Sequence, residues 1–234
     1  MKKSLLSLQP LSTKTMEPFD GRLRTPFACI VGGSPLAGKT TWVTQLLENR
    51  NRLINNDFDY IVWFYGQETT FISELRNQTL GIPTLVVHGL PDSFDKYIQK
   101  DKRGLIVLDD LMASVSRSDQ VTELFCNKVH HDDVSVIIMM QNLFYHGKER
   151  TTLMRCAHYL VVFKNPLDGS IPLFLAHKIM PLQRKLFMDI FQAATKEPFG
   201  YLYIDGRQTT PDSARFRTNL FNDGVQTVFV ASSR

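Results

Sequence analysis

Short and almost uninterrupted apolar runs recur along the chain, at residues 27–31 (FACIV), 59–65 (DYIVWFY), 84–88 (TLVVH), 104–110 (GLIVLDD), 134–141 (VSVIIMMQ), 159–164 (YLVVFK) and 201–205 (YLYID). Their large side chains do not alternate with polar ones, which is the pattern of strands covered on both faces. The segments between them follow a different period. Residues 39–48 (KTTWVTQLLE) hold helix formers and no breaker, and residues 120–130 place Val121, Leu124, Phe125 and Lys128 or Val129 at helical spacing. Residues 93–99 read as a short helix, and 172–179 and 182–194 as longer helical segments. Strands alternating with helices predict an α/β fold with a mostly parallel sheet and helices on both faces, closed by the run at 201–205. Residues 1–24 mix Ser, Thr, Lys and Pro without periodicity and read as an N-terminal arm; 25–206 read as the folded domain and 207–234 as a C-terminal tail.

The link between the first run and the first helix carries chemistry. Gly33-Ser34-Pro35-Leu36-Ala37-Gly38-Lys39-Thr40 matches G-x-x-x-x-G-K-[ST] at every fixed position, with Thr41 following. In a strand–loop–helix context the loop amides converge on phosphate oxygens at the positive end of the helix, and Lys39 adds a full charge. The Thr40 hydroxyl then completes a Mg²⁺ shell, so ATP with Mg²⁺ is the expected ligand. A second motif ends the run at 104–110, where Asp109 and Asp110 follow four large apolar residues. Carboxylates on a buried parallel strand belong at its carboxyl end, where ligands of open α/β sheets collect. Asp109 is expected to hold Mg²⁺ through water, and Asp110 to orient or deprotonate an attacking water. Gln141 ends the next strand, which in sheets of this type lies beside the P-loop strand, and its amide is a candidate sensor of the γ-phosphate.

The 234 residues, 43% of them apolar, suffice for one sizeable domain. A formal charge of +4 permits contact with a phosphate backbone without demonstrating it. Residues 112–119 and 142–152 read as two loops at the carboxyl edge, carrying Arg117, His146, Lys148 and Arg150. Arg117, Lys148 and Arg150 are candidates for gripping DNA, while Arg150 and Arg155 are candidates for an arginine finger reaching into a neighbour's site. Arg184, Lys185, Arg215 and Arg217 read as surface charge, His130-His131-Asp132-Asp133 as a solvated turn, and Phe187, Phe191 and Phe199 as core packing. Cys29, Cys126 and Cys156 are odd in number and dispersed, which argues against a disulfide framework or zinc site and fits a reducing compartment. With no apolar segment of about 18 residues, a soluble intracellular protein without a membrane partner is expected.

With these pieces placed, the chain resembles the genome-packaging ATPases of the HerA/FtsK superfamily, particularly those of Polinton-like and adintovirus-like elements and their poxvirus-type relatives among large DNA viruses. The resemblance runs through VGGSPLAGKT, IVLDDLM, VTELFCNKVHHDDVSVIIMMQNLFYHGKERTT, AHYLVVFKNP, PFGYLYID and RFRTNLF. It implies a RecA/ASCE-like P-loop NTPase that assembles as a homo-oligomeric ring, hexameric or pentameric. Such a ring moves double-stranded DNA into a preformed capsid, with a capsid or portal as partner, in the host cytoplasm or nucleus. Lys39 and Thr40 match Walker A, Asp109 and Asp110 match Walker B, and Gln141 matches the superfamily's polar residue after the next strand. The Asp-Asp pair stands where many members have Asp-Glu, which leaves the catalytic base less securely assigned. About thirty residues after Asp205 are too few for a nuclease domain. Two readings of other classes compete: a small nucleoside or nucleotide kinase, and a nucleotide-dependent DNA or capsid adaptor that does not hydrolyse.

Overall fold

Residues 19–77, 80–111, 118–141, 143, 148–222 and 226–230 are described by the structure, a computed structural model; of Lys148, Glu149 and Arg150 the backbone alone is described. The apolar runs form strands β1 (Ala28–Gly32), β2 (Tyr60–Tyr65), β3 (Thr84–His88), β4 (Gly104–Asp109), β5 (Val134–Met140), β6 (Tyr159–Phe163) and β7 (Tyr201–Asp205). They lie in the order β3-β2-β4-β5-β1-β6-β7, and pairing is parallel from β3 to β6. One strand, β5, therefore separates the strand that ends in Asp109 from the strand that precedes the P-loop. This is the neighbour relation expected for Gln141.

The period of two along each strand splits its side chains between two cores. Ile30, Val62, Phe64, Ile106, Leu108, Val136 and Ile138 belong to one, and Val31, Ile61, Trp63, Leu105, Val107 and Ile137 to the other. The second core is covered by α1 (Lys39–Glu48), α2 (Arg50–Leu53) and α3 (Thr70–Asn77), through Trp42, Val43, Leu46, Leu47, Leu53, Ile72 and Leu75. The first is covered by α4 (Asp119–Glu123), which continues through a π-helical turn at Leu124–Lys128 into α5 (Val129–His131). It is completed by α6 (Lys148–Cys156), α7 (Ser170–Ile179) and α8 (Arg184–Ala194). Each face of the sheet thus carries helices, and α4 starts where Ser118 caps it by accepting from the Val121 amide at 3.3 Å.

Several elements depart from the sequence expectation. The sheet does not close at β7 but continues antiparallel through β8 (Phe216–Thr218) and β9 (Thr227–Phe229). Residues 148–156, expected mostly as loop, are helical, and residues 93–99 form only a 3-10 turn at Asp95–Tyr97. Cys126 and Cys156 are disulfide-bonded with Cα atoms 5.3 Å apart, contrary to the reading of three isolated cysteines. The pairing exists because the π-turn and the end of α6 pack side by side, a proximity that linear spacing does not carry. Among the described residues no helix is long and apolar enough to cross a membrane.

Arg217, read from sequence as surface charge, is 1% exposed. Its guanidinium donates to Asp205 Oδ2 at 3.1 Å, to the Gly21 carbonyl and to Gln226 Oε1, and stacks 4.6 Å from the Tyr203 ring centroid. It thereby ties the N-terminal segment, β7 and the approach to β9 at one point. Removing one partner of such a buried pair leaves an uncompensated charge. Arg217→Met is expected to lower unfolding free energy in urea by about 3–5 kcal/mol, with a large part recovered in the double variant Asp205→Asn/Arg217→Met; a loss near zero would remove this clamp from the account of stability.

Candidate active site

The P-loop is built by the end of β1 and the start of α1. Gly33 N–H donates to the Met140 carbonyl at 3.1 Å, so the loop leaves the sheet hydrogen-bonded to the end of β5. Gly38 takes φ 99°, a left-handed conformation that lets the chain turn into α1 without a Cβ penalty. Among the described residues no side chain caps α1, and no acidic residue sits in its first turn. Its first amides and the positive end of its dipole therefore face the loop, a built anion cradle. Lys39 lies across that cradle, its Nζ donating to the Gly33 carbonyl at 2.7 Å and to the Ser34 carbonyl at 2.9 Å. Burial lowers the Lys39 pKa, and the nearby Asp109 and Asp110 carboxylates oppose that shift. The cradle fits polyphosphate, and Thr40, second in α1, lies beside Lys39 and could hold a cation there.

Asp109 ends β4 opposite Tyr65 of β2 and Met139 of β5. Its side chain falls on the α1 face, where the Trp63 indole Nε1 donates to Oδ2 at 3.4 Å. Burial is the main cause that pushes the Asp109 carboxyl up to about 6; the Trp63 bond lowers it, the Asp110 charge raises it and Lys39 lowers it. A cation held at Asp109 fits this environment, since it would supply the positive charge that the carboxylate lacks. Asp110 follows with φ 52°, a turn that swings it off the strand axis, and Gln141 Nε2 donates to its Oδ1. The ends of β4 and β5 are thus joined side chain to side chain beside the P-loop.

Lys39, Asp109, Asp110 and Gln141 come together at the carboxyl ends of the strands. Gly33, Gly38, Leu36, Thr40 and Thr41 border this group. Arg155 is exposed near the end of α6, on the face opposite α1, where it shares a groove of about 680 Å³ with His158, Lys178 and Arg215. In that groove burial pushes the His158 imidazole down to about 4, and its Nδ1 accepts the Ala28 amide at 2.9 Å. Lys148 and Arg150 occupy the first turn of α6, their side chains outside the described residues, and Arg117 and His146 lie outside them altogether. Phe187 and Phe191 are core residues, but Phe199 is 70% exposed, so the packing assignment fails for it.

Sequence reasoning missed two supports of the carboxylates. In the sequence Trp63 reads only as part of the apolar run at 59–65, although its place two residues before the strand's end sets its indole beside Asp109. Gly66 follows β2 directly, its amide donating to the Asp109 carbonyl at 2.9 Å, and a Cβ there would run into the Asp110 carbonyl oxygen. The signal was a glycine closing an apolar run, the usual mark of close backbone approach.

No family model matches the chain, and no curated protein matches it. Among solved structures it is similar to B204, the DNA-packaging ATPase from Sulfolobus turreted icosahedral virus, at 12% identity over 80% of this chain and 96% of that chain, with a TM-score of 0.52. It is likewise similar to the genome packaging NTPase B204 of Sulfolobus turreted icosahedral virus 2 in complex with AMPPCP, at 12% identity over 79% and 95% of the two chains and a TM-score of 0.50. The likeness is one of fold: this chain shares a mostly parallel α/β sheet with B204.

Asp109 offers a direct check of the site's electrostatics. An unfolded Asp titrates near 3.8 and the folded one near 6, so between those values the folded chain holds a proton that the unfolded chain has lost. Stability therefore falls as pH rises through that window and levels off above it, by up to about 3 kcal/mol. Asp109→Asn is expected to be more stable than the wild type at pH 7.5, with the difference shrinking toward pH 4 in urea titrations. Equal stability of the two proteins at both pH values would mean that Asp109 is not held in a desolvated state.

Proposed function

We propose that this chain is an ATP-hydrolysing motor that moves double-stranded DNA into a viral capsid as a ring of identical subunits. The observation that carries the reading is the Asp110–Gln141 hydrogen bond standing beside a loop that holds Lys39 over a bare helix N-terminus. The similar fold of B204, a DNA-packaging ATPase, supports the step from nucleotide chemistry to packaging.

In this reading residues 33–41 cradle the phosphates of ATP and Lys39 exchanges its loop carbonyls for phosphate oxygens. Thr40 and Asp109 are the residues that would hold Mg²⁺, which would supply charge neutralisation at the transferring phosphoryl group. Asp110 orients the attacking water and accepts its proton, and Gln141 fixes the rotamer of Asp110 from the neighbouring strand. Gln141 also links the reaction to the chain beyond β5, where Lys148 and Arg150 begin α6; these two and Arg117 grip successive DNA phosphates. Arg150 or Arg155 reaches the γ-phosphate of an adjacent subunit, which makes turnover depend on a hexameric or pentameric ring; a capsid or portal is the partner on which that ring docks.

The test is steady-state ATP hydrolysis with and without long double-stranded DNA over a range of protein concentrations. Hydrolysis is expected to be DNA-stimulated and to rise more than linearly with protein. Asp110→Asn is expected to lower turnover roughly a hundred- to ten-thousandfold while ATP binding stays within a few-fold, whereas Lys39→Ala loses binding itself. Turnover indifferent to DNA and to concentration would overturn the motor; phosphate transfer to a nucleoside would replace it with a kinase, and DNA binding without hydrolysis with an adaptor.

A further inference from the structure

Phe199 stands in the turn Glu197-Pro198-Phe199-Gly200, closed by the Gly200 amide donating to the Glu197 carbonyl at 3.0 Å. Proline second and a positive φ third is the pattern of a type II turn, whose third place ordinarily takes Gly or Asn. Here the third place holds a phenylalanine at φ 60°. A bulky side chain in the left-handed region is strained, and strain of this kind collects at binding sites. Core packing offers no compensation, because the ring is 70% exposed. Nor is the turn slack: a Cβ on Gly200 would lie 2.8 Å from the Ala194 carbonyl oxygen and 2.9 Å from that of Glu197.

The ring's direction gives the strain a meaning. β7 pairs antiparallel to β6, with Tyr201 opposite Phe163, so β7 begins at the edge where the parallel strands end. The turn before it is thereby delivered to the P-loop, where Phe199 Cδ1 lies 3.5 Å from the point a Cβ on Gly38 would occupy. Phe199, Phe163, Tyr201, Leu36, Thr41 and Gln45 line a cavity of about 540 Å³ that opens onto Lys39 and Thr40 at the start of α1. Phe163 and Tyr201 are buried. Leu36, 94% exposed at φ 62°, is a second large apolar residue in a left-handed conformation facing the same space.

We propose that this cavity is the nucleobase subsite and that the Phe199 ring stacks on the base of the nucleotide whose phosphates the P-loop holds. The inference rests on the nucleotide-binding reading above and extends it from the phosphates to the other end of the ligand. An exposed aromatic face one loop away from an anion cradle, with largely apolar walls and with Thr41 and Gln45 among the groups able to meet a polar edge, matches a flat heteroaromatic tethered to a polyphosphate. Stacking uses the π-face that every base presents, so the ring contributes affinity and orientation, and choice among bases falls to the hydrogen-bonding edge groups.

Calorimetric titration with Mg-ATP and with Mg-tripolyphosphate, which has no base, tests the assignment on the wild-type protein and on Phe199→Gly and Phe199→Trp. Glycine suits a left-handed turn position, so Phe199→Gly is expected to melt at the wild-type temperature or above it. It is expected to bind ATP roughly 5- to 100-fold more weakly while tripolyphosphate affinity is unchanged, and Phe199→Trp to keep ATP affinity within a few-fold. Unchanged ATP affinity in Phe199→Gly, or equal loss of ATP and tripolyphosphate, would overturn the base subsite and leave the P-loop reading intact. A wild-type protein that binds neither ligand would overturn both.

Discussion

A parallel sheet covered on both faces can carry charged groups only where its strands end, and the rest of this molecule is arranged around that limit. Through their lengths β1, β4 and β5 hold little but aliphatic side chains, packed into two cores that exclude water. The first positions at which charge becomes tolerable are the carboxyl ends, and Lys39, Asp109, Asp110 and Gln141 all lie there. Asp109 shows how narrow the tolerance is. One residue from the core, it is still desolvated enough to be raised to about 6 even with Trp63 and Lys39 drawing it down. Asp110, one residue further and turned off the strand by its positive φ, meets the polar amide of Gln141 instead. Two adjacent carboxylates therefore stand in different environments, one desolvated beside Trp63 and the other hydrogen-bonded to Gln141.

The same limit explains what could be read from sequence. Strands buried on both faces are written as continuous apolar runs, so the seven-strand core was legible, and the side chains that end those runs in charge were legible with it. The loop at 33–40 was legible because its conformation between strand and helix calls for glycine at fixed places. Elements that are short or bury few apolar side chains were not. Within α3 only Ile72 and Leu75 are buried, β9 buries none of its three residues, and β8, though buried throughout, has one apolar residue of three. α6 begins with charged and hydroxyl residues whose side chains do not announce a packed face.

Other misses were matters of tertiary placement. Nothing local distinguishes Arg217 from Arg215, yet Arg217 is enclosed between β7 and the N-terminal segment while Arg215 meets the exposed Asp212. Cys126 and Cys156 are thirty positions apart and meet only because α4, its π-turn and α6 share one face of the sheet. Gly66 and Trp63 matter through what lies across from them on β4. Phe199 was misassigned for a related reason: an aromatic near a helix end suits a core as well as a cavity, and the deciding fact is the direction of the strand that follows.

That direction joins the two halves of the molecule. Had β7 run parallel to β6, its start would lie at the far edge of the sheet, and the turn that carries Phe199 would be a strand's length from the P-loop. Running antiparallel, β7 is held near its start by Thr218 Oγ1 donating to the Tyr201 carbonyl at 2.7 Å and by the Leu220 amide donating to the Tyr201 hydroxyl at 2.9 Å. At its other end it is held by the buried Asp205–Arg217 pair. The phosphate cradle depends on the parallel half, and the aromatic face beside it on the antiparallel half. β6 is the strand both share, with Phe163 touching Gly33 on one side and lying opposite Tyr201 on the other. On the proposed reading, a nucleotide bound across that strand contacts both halves at once, and each half brings a group the other lacks: fixed positive charge from one, a preset π-face from the other.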